Sequence, residues 1–246
     1  MWKALRRKVI ELATRDAVDK SHGHRMQLNH ARNPKCEFAR LCDLHGTDKG
    51  ELEAEGQPYT WPAHSYSDLY TLLFRQKREA ISLVVECGLG SNNPKVRFNM
   101  GVNGRPGASL RVWRDYFPRA RIVGVDIDSD ILFAEERIDT YHCDQTSAAS
   151  IAAFAGRAGL KPRSVDIIVD DGLHKFEAGC SFFAGMIDYL ADDGVYIIED
   201  IQQSDRVRYQ RHFAALADRY VFTLADLHRP GRKLADNSVV MVWRNT

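Results

Sequence analysis

Closely spaced cysteine pairs are absent from this sequence. None of its five cysteines forms the Cys-x-x-Cys pair that is typical of zinc and redox sites. Their odd number also disfavours a complete disulfide framework. We therefore expect free thiols and a reduced, cytoplasmic environment.

Long apolar runs are absent as well. No run approaches the ~20 apolar residues of a membrane-spanning helix, and charges interrupt the opening residues MWKALRRKVIELATRD too often for a signal peptide. In that stretch Trp2, Leu5 and Val9 recur at near-helical spacing. Two interpretations stay open: a helix on a membrane surface or, as we favour, a helix docked on the protein itself or on another subunit of a homo-oligomer. We expect a soluble protein without a transmembrane segment.

An excess of charge of one sign is also missing. The 246 residues include 34 basic and 33 acidic ones, with a formal net charge of +1, so no overall field favours a nucleic-acid partner. With 44% apolar residues the chain can bury one sizeable core. We therefore predict one domain with a terminal extension and no bound nucleic acid.

The sequence does contain, from residue 81 onward, short β-branched apolar runs that alternate with helical stretches. This alternation is typical of βαβ units and a parallel sheet. Five strands are predicted at Leu83–Cys87, Ile122–Asp126, Thr140–His142, Val165–Val169 and Val195–Ile198. Helices are predicted at Ser109–Tyr116, Ser147–Ala158, Lys175–Leu190 and Ser204–Arg219.

The last two apolar runs, Tyr220–Leu224 and Ser238–Trp243, have no helix between them and predict an antiparallel hairpin. The predicted fold class is therefore α/β and Rossmann-like, with a mostly parallel seven-stranded sheet that ends in a hairpin. Residues 81–246 form this domain. Residues 1–80 form a helical and loop extension that contributes to the site.

Acidic residues follow nearly every predicted strand. In open α/β sheets the ligand lies outside the carboxyl ends of the strands, so these side chains should share one rim. Such a concentration of carboxylates requires a cation or many hydrogen-bond donors. The residues concerned are Glu86, Asp126, Asp144, Asp170, Asp171, Glu199 and Asp200.

The first three strand ends predict a nucleoside-binding region. Glu86 to Gly90 read E-C-G-L-G, where the glycines let backbone pass close to a ligand. Asp126, at the end of the second strand, can accept both ribose hydroxyls of an adenosine. Asp144 and Gln145 can receive the adenine amine and a ribose or base edge. The alternatives are an ordinary turn at the glycines, a helix cap at Asp126 and a simple turn at Asp144.

The next two strand ends predict a metal site. They read D-D-G-L-H and I-E-D-I, so Asp171, Glu199 and Asp200 can meet from neighbouring strands. Oxygen ligands of this kind select magnesium or calcium, and a coordinated hydroxyl loses its proton more easily. His174, three residues after Asp171, is a candidate general base. A hydrogen-bonded loop histidine is the alternative, while His64 and His45 are weaker candidates with positioning roles.

The motifs in combination resemble the magnesium-dependent sugar O-methyltransferases of macrolide biosynthesis, of the mycinamicin and macrocin type, and their relatives in polysaccharide gene clusters. The resemblance runs from about Leu41 to Ile201. It is carried by GTDKG (Gly46–Gly50), HSYSDLY (His64–Tyr70), PGASLRVWRDYFP (Pro106–Pro118), IVGVDID (Ile122–Asp128), DQT, DDGLH and IIEDI.

This resemblance implies a class I methyltransferase fold, the cofactors S-adenosylmethionine and Mg²⁺, and a small-molecule or glycan acceptor. It implies metal ligands at Asp171, Glu199 and Asp200 and a general base at His174. The cofactor contacts that it implies are Lys49, Tyr66, Glu86, Gly88, Gly90, Ser109, Asp126, Asp144, Gln145 and Asp170.

The insert at Ser91–Arg105 is longer than the resemblance leads us to expect, so the acceptor cannot be inherited from it. Arg97 and Arg105 in this insert fit either a phosphate of a nucleotide sugar or exposure to water. Two other functions remain as rivals: a metal-dependent hydrolase or hydroxylase-like relative on the same scaffold, and a non-catalytic partner protein with this fold.

Overall fold

The computed structural model describes residues 24–29, 35–51, 58–59, 61–64, 66–96, 99–229 and 234–245. Within them a single sheet has the strand order β1-β8-β9-β7-β6-β2-β3-β5-β4. Strands β3, β2, β6 and β7 pair in parallel, and β9 is antiparallel to both β7 and β8. The strands are β1 His24–Asn29, β2 Leu83–Cys87, β3 Arg121–Asp126, β4 Ala134–Glu135, β5 Ile138–His142, β6 Val165–Asp170, β7 Leu190–Ile198, β8 Tyr220–His228 and β9 Ser238–Arg244.

The seven predicted strands are present, and two more extend the sheet at its edges. Strand β1 pairs in parallel with β8, so the predicted hairpin lies one strand inside the edge. Its sequence, HRMQLN, has two apolar residues separated by a polar one, and it falls in the segment predicted as helix and loop. Strand β4 adds two residues beside β5. A short, mostly polar edge strand has no apolar run by which to recognise it.

Helices cover both faces of the sheet. Along β2, Val84 packs with one core cluster and Val85 with the other, as the two-residue period of a strand requires. Both residues are fully buried, which is typical of a central parallel strand. The helices are α1 Glu37–His45, α2 Ser67–Phe74, α3 Ala108–Tyr116, α4 Ala148–Arg157, α5 Phe176–Met186 and α6 Arg206–Ala214.

The described part of the N-terminal extension packs directly on the domain. Phe38 of α1 lies 5.3 Å from Tyr70 of α2 and 5.1 Å from Trp113 of α3, measured between ring centroids. Helices α1 to α3 therefore share one aromatic core. The helix predicted around Trp2 to Val9 lies outside the described residues. None of the described helices has the length and apolar character that crossing a bilayer requires.

Candidate active site

Three neighbouring strand ends bring the predicted site together. In the register of the sheet, Cys87 pairs with Asp170 and Asp170 pairs with Ile198. The Asp171 amide donates to the Cys87 carbonyl at 2.9 Å, and the Glu199 amide donates to the Asp170 carbonyl at 3.0 Å. The residues that follow β2, β6 and β7 are therefore held side by side.

Gly88 brings the glycine turn into contact with the residues that follow β6. Its φ is +92°, and a Cβ placed there would lie 2.1 Å from the Asp171 carbonyl oxygen. Gly90 has a φ of +73°, and its open side is covered by Met100 of the insert. A larger residue at Gly88 would push the two strand ends apart, so the close contact between them depends on glycine.

Asp126 lies at the end of β3, beside this turn. Its carboxylate accepts the Leu89 amide at 2.8 Å and the Asp128 amide at 2.9 Å. Asp128 in turn accepts the Ser91 hydroxyl at 2.6 Å. Asp126 is half-buried, and burial raises its pKa. Asp126 thus holds two loop amides, while Asp128 caps the short helical turn Ser129–Ile131, and part of Asp126 stays accessible.

Glu86 is fully buried below the turn. Its Oε2 accepts the indole N–H of Trp113 at 2.7 Å, and Ser109 also hydrogen-bonds to it. Burial raises the pKa of Glu86 to about 7, against the opposing effect of the Lys49 ammonium. Its Oε1 has no hydrogen-bond partner among the described residues.

Lys49 enters the site from the loop between α1 and α2. Its Nζ lies 2.5 Å from Asp171 Oδ2 and 3.5 Å from Glu86 Oε1, and it donates to Glu199 Oε2. Although burial alone would lower the pKa of Lys49, Asp171 and Glu199 raise it well above its usual range. Lys49 is therefore a buried cation shared by three carboxylates.

Two tyrosines of the segment 66–74 hold the adjacent carboxylates of the β7 end. The Tyr66 hydroxyl donates to Asp200, and the Tyr70 hydroxyl donates to Glu199 Oε1. Both tyrosines are buried. Tyr66 was expected at the cofactor, but its hydroxyl is engaged by Asp200. Tyr70 was not predicted, although its position one helical turn after Tyr66 could have indicated a shared face.

Asp171, His174 and Asp200 form a close group at the ends of β6 and β7. One ligand atom from each lies within 4.8 Å of the others. His174 Nε2 is 3.3 Å from Asp171 Oδ1, Nδ1 is 3.7 Å from an Asp200 oxygen, and the side chain is 31% exposed. His174 and Asp200 have φ values of 54° and 52°, an uncommon conformation that occurs at functional sites.

Two carboxylates face one imidazole in this group of Asp171, His174 and Asp200. Burial disfavours the imidazolium of His174, but Asp200 and Asp171 outweigh it and raise the pKa of His174 to about 10. Burial raises the pKa of Asp200 and, to a greater degree, that of Glu199. Without a further cation, His174 is therefore protonated at neutral pH and cannot accept a proton.

A second imidazole, that of His64, is buried beside Asp200. Its Nδ1 is 3.3 Å from Asp48, and its Nε2 is 3.6 Å from Asp200 and 3.5 Å from Asp236. The ring stacks on Tyr66. These contacts fit the expected positioning role. His45 instead pairs with Asp115 at 2.7 Å.

Gln145 and Asp170 hydrogen-bond to each other at the wall of the site. The Gln145 amide donates to Asp170 Oδ1 at 3.0 Å and accepts the Leu173 amide at 2.6 Å. Asp144, which is half-buried, accepts the Thr146 amide and hydroxyl in a local turn. Burial raises the pKa of Asp170 to about 6. The two buried residues thus fix the DDGLH loop.

Sequence comparison finds curated relatives that act on sugars, while no protein-family model matches the chain. A Streptomyces olivaceus 8-demethyl-8-alpha-L-rhamnosyl tetracenomycin-C 2'-O-methyltransferase is 31% identical over 167 residues, covering 68% of this chain and 38% of the relative. Demethylmacrocin O-methyltransferase of Streptomyces fradiae is 30% identical over 162 residues, covering 65% of this chain and 38% of the relative. The chain thus spans less than two fifths of these relatives' length.

Structure comparison gives the fold. The MycE methyltransferase of the mycinamycin pathway, solved in complex with Mg and SAH, matches with a TM-score of 0.59 at 24% identity, covering 85% of this chain and 54% of that one. The chain is therefore a homologue of sugar O-methyltransferases of macrolide and tetracenomycin pathways and has the Rossmann-like class I methyltransferase fold.

Proposed function

We propose that this protein transfers the methyl group of S-adenosylmethionine to a hydroxyl of a sugar or sugar-like acceptor with the help of a divalent metal. The observation that carries the proposal is the contact between the Gly88 turn and Asp171. This contact supports a nucleoside-binding role for the turn, because the turn lies against Asp171 of the Asp171–His174–Asp200 group. A methyl donor and a hydroxyl acceptor must meet at such a junction.

The cofactor end of the proposal uses the turn at Gly88 and Gly90, Asp126 and the loop after β5. Asp126 is half-buried and would accept ribose hydroxyls beside its contacts with the Leu89 and Asp128 amides. Asp144 and Gln145 are the two residues proposed at the adenine, and Asp144 is the more accessible of them. Gln145 and Asp170 support the neighbouring loop. Buried side chains would support this cofactor end through their hydrogen bonds and ion pairs: those of Lys49, Tyr66, Glu86 and Ser109.

The donor set fits a hard divalent cation. Asp171, Asp200 and Glu199 offer carboxylate oxygens, the ligands that magnesium prefers. Burial, with the neighbouring Asp171 carboxylate adding to it, raises the pKa values of Asp200 and Glu199, and a bound cation would oppose both effects. We propose these three residues as the metal ligands. When bound, the ion would lower the pKa of the acceptor hydroxyl.

We propose His174 as the general base for the acceptor hydroxyl. Metal bound to Asp171 and Asp200 would compensate the two charges that keep the imidazole protonated, so a neutral His174 could accept the acceptor's proton. His64 and Tyr66 would orient Asp200 from behind. The acceptor class includes sugars of secondary metabolites and surface polysaccharides, modified in the cytoplasm.

The direct test is methyl transfer from isotope-labelled S-adenosylmethionine to a panel of rhamnosylated and other glycosylated acceptors. We expect label in a hydroxyl-linked methyl group with magnesium or manganese present, and loss of transfer in EDTA with recovery on adding metal back. Full turnover in a chelated, metal-free preparation would remove the metal from the proposal.

Asp126→Ala should weaken S-adenosylmethionine binding. A charged acceptor for the ribose hydroxyls is worth roughly 1.5–3 kcal/mol, and calorimetric titration measures the change. Because Asp126 also holds Leu89 and Asp128, Asp126→Asn serves as the matched variant that keeps the side-chain size. An unchanged dissociation constant for both variants would leave Asp126 as a turn cap alone.

A further inference from the structure

Lys49 lies inside the carboxylate cluster rather than at its rim. The side chain is 2% exposed, and its ammonium contacts carboxylates from three strand ends, those of Glu86, Asp171 and Glu199. The loop that carries it is packed against α1, since a Cβ at Gly50 would lie 2.6 Å from Cys42 Cβ. The backbone that carries the Lys49 side chain is thus held against α1.

The ammonium contacts Asp171 and Glu199, two of the three proposed metal ligands. Buried carboxylates that face one another need a positive charge between them, and Lys49 supplies it here. A divalent cation on Asp171 and Glu199 would also supply positive charge but would repel the ammonium at contact distance. Lys49 and the ion therefore compete for these two carboxylates.

We propose that Lys49 is an internal counter-ion, which holds Asp171 and Glu199 in place until a divalent cation binds and then releases both to it. This inference rests on the proposed metal-dependent function. Tyr70 donates to the other oxygen of Glu199 and keeps that carboxylate oriented during the exchange. Glu86 can retain the ammonium, because its Oε1 lies 3.5 Å from Nζ and has no hydrogen-bond partner among the described residues.

Calorimetric titration of Mg²⁺ into wild type and Lys49→Met tests the competition. Methionine keeps the length of the side chain without its charge, so we expect at least about tenfold tighter Mg²⁺ binding. The variant should also melt at a lower temperature than wild type in EDTA, and Mg²⁺ should raise its melting temperature more. Lys161→Met, at an exposed lysine, should match wild type in both measurements.

A purely structural lysine predicts a different pattern. Lys49→Met would then bind Mg²⁺ as wild type does or more weakly, and would lose the same stability in EDTA and in Mg²⁺; either result overturns the inference. If wild type itself binds no Mg²⁺, the metal of the proposed function fails as well. If the wild type binds Mg²⁺ and Lys49→Met binds it with the same affinity, only the counter-ion role of Lys49 is refuted.

A measurement on the wild type covers the case of a variant that does not fold. Acetylation of Lys49 by acetic anhydride, followed by peptide mass spectrometry, reports whether the ammonium stays engaged. We expect Mg²⁺ to increase its rate several-fold while that of Lys161 stays constant. Equal Lys49 reactivity with Mg²⁺ and with EDTA would show that the ammonium does not give way.

Discussion

The His174→Ala variant should have a kcat about 10²–10⁴-fold lower than that of the wild type, the usual range for loss of a positioned general base. Its affinity for metal and for S-adenosylmethionine should barely change. His174 is partly exposed and contacts Asp171 and Asp200, so its removal leaves the buried carboxylate network intact. Single-turnover kinetics and metal titration separate the two effects.

The pH profile provides an independent check on the same residue. A base must be neutral, so wild-type activity in saturating metal should fall as the pH drops through the pKa of His174, and the alanine variant should lack this limb. The control is His228→Ala, which changes an exposed histidine at the carboxyl end of β8 and should behave as wild type. If His174→Ala loses metal as severely as an Asp171 variant, His174 is a metal ligand instead.

Replacing Asp171 with alanine should weaken metal binding by at least about 100-fold, because even residues that only support a metal ligand contribute 10–100-fold. Acceptor binding should weaken in parallel, since the coordination positions that orient the hydroxyl are lost with the ion. Activity should recover in part at high Mg²⁺. Calorimetry and the magnesium dependence of turnover measure these changes.

Asp188→Ala is the matched control for this variant. Asp188 is an exposed carboxylate before β7, at the opposite end of that strand from Glu199. It should leave metal affinity and turnover unchanged. If Asp171→Ala kept wild-type metal affinity, the site would have to be assigned to other carboxylates of the rim.

The sequence predicted the strands whose ends form the site, because those strands follow from short-range patterns. Apolar runs gave the central strands, and the rule that ligands lie at carboxyl ends placed Asp171, Glu199 and Asp200 together. The register of β2, β6 and β7 confirms this convergence. The glycine turn was also predicted from the sequence. In the structure Gly88 has a positive φ, the conformation that glycine favours.

The partners of these carboxylates were not predictable in the same way. Lys49 lies 122 positions before Asp171 in the chain, and Tyr70 lies 129 before Glu199. No local spacing encodes such contacts, because they depend on how α1 and α2 pack on the sheet. A lysine beside glycine also has the local pattern of an exposed loop. Its burial became evident only from the fold.

Calorimetric titration of the wild-type protein with S-adenosylmethionine in magnesium buffer tests the central claim most directly. It needs no knowledge of the acceptor. The proposed function predicts saturable binding at one site, with weaker binding in Asp126→Ala. No detectable binding of S-adenosylmethionine or its demethylated product would contradict the assignment of this protein as a methyltransferase.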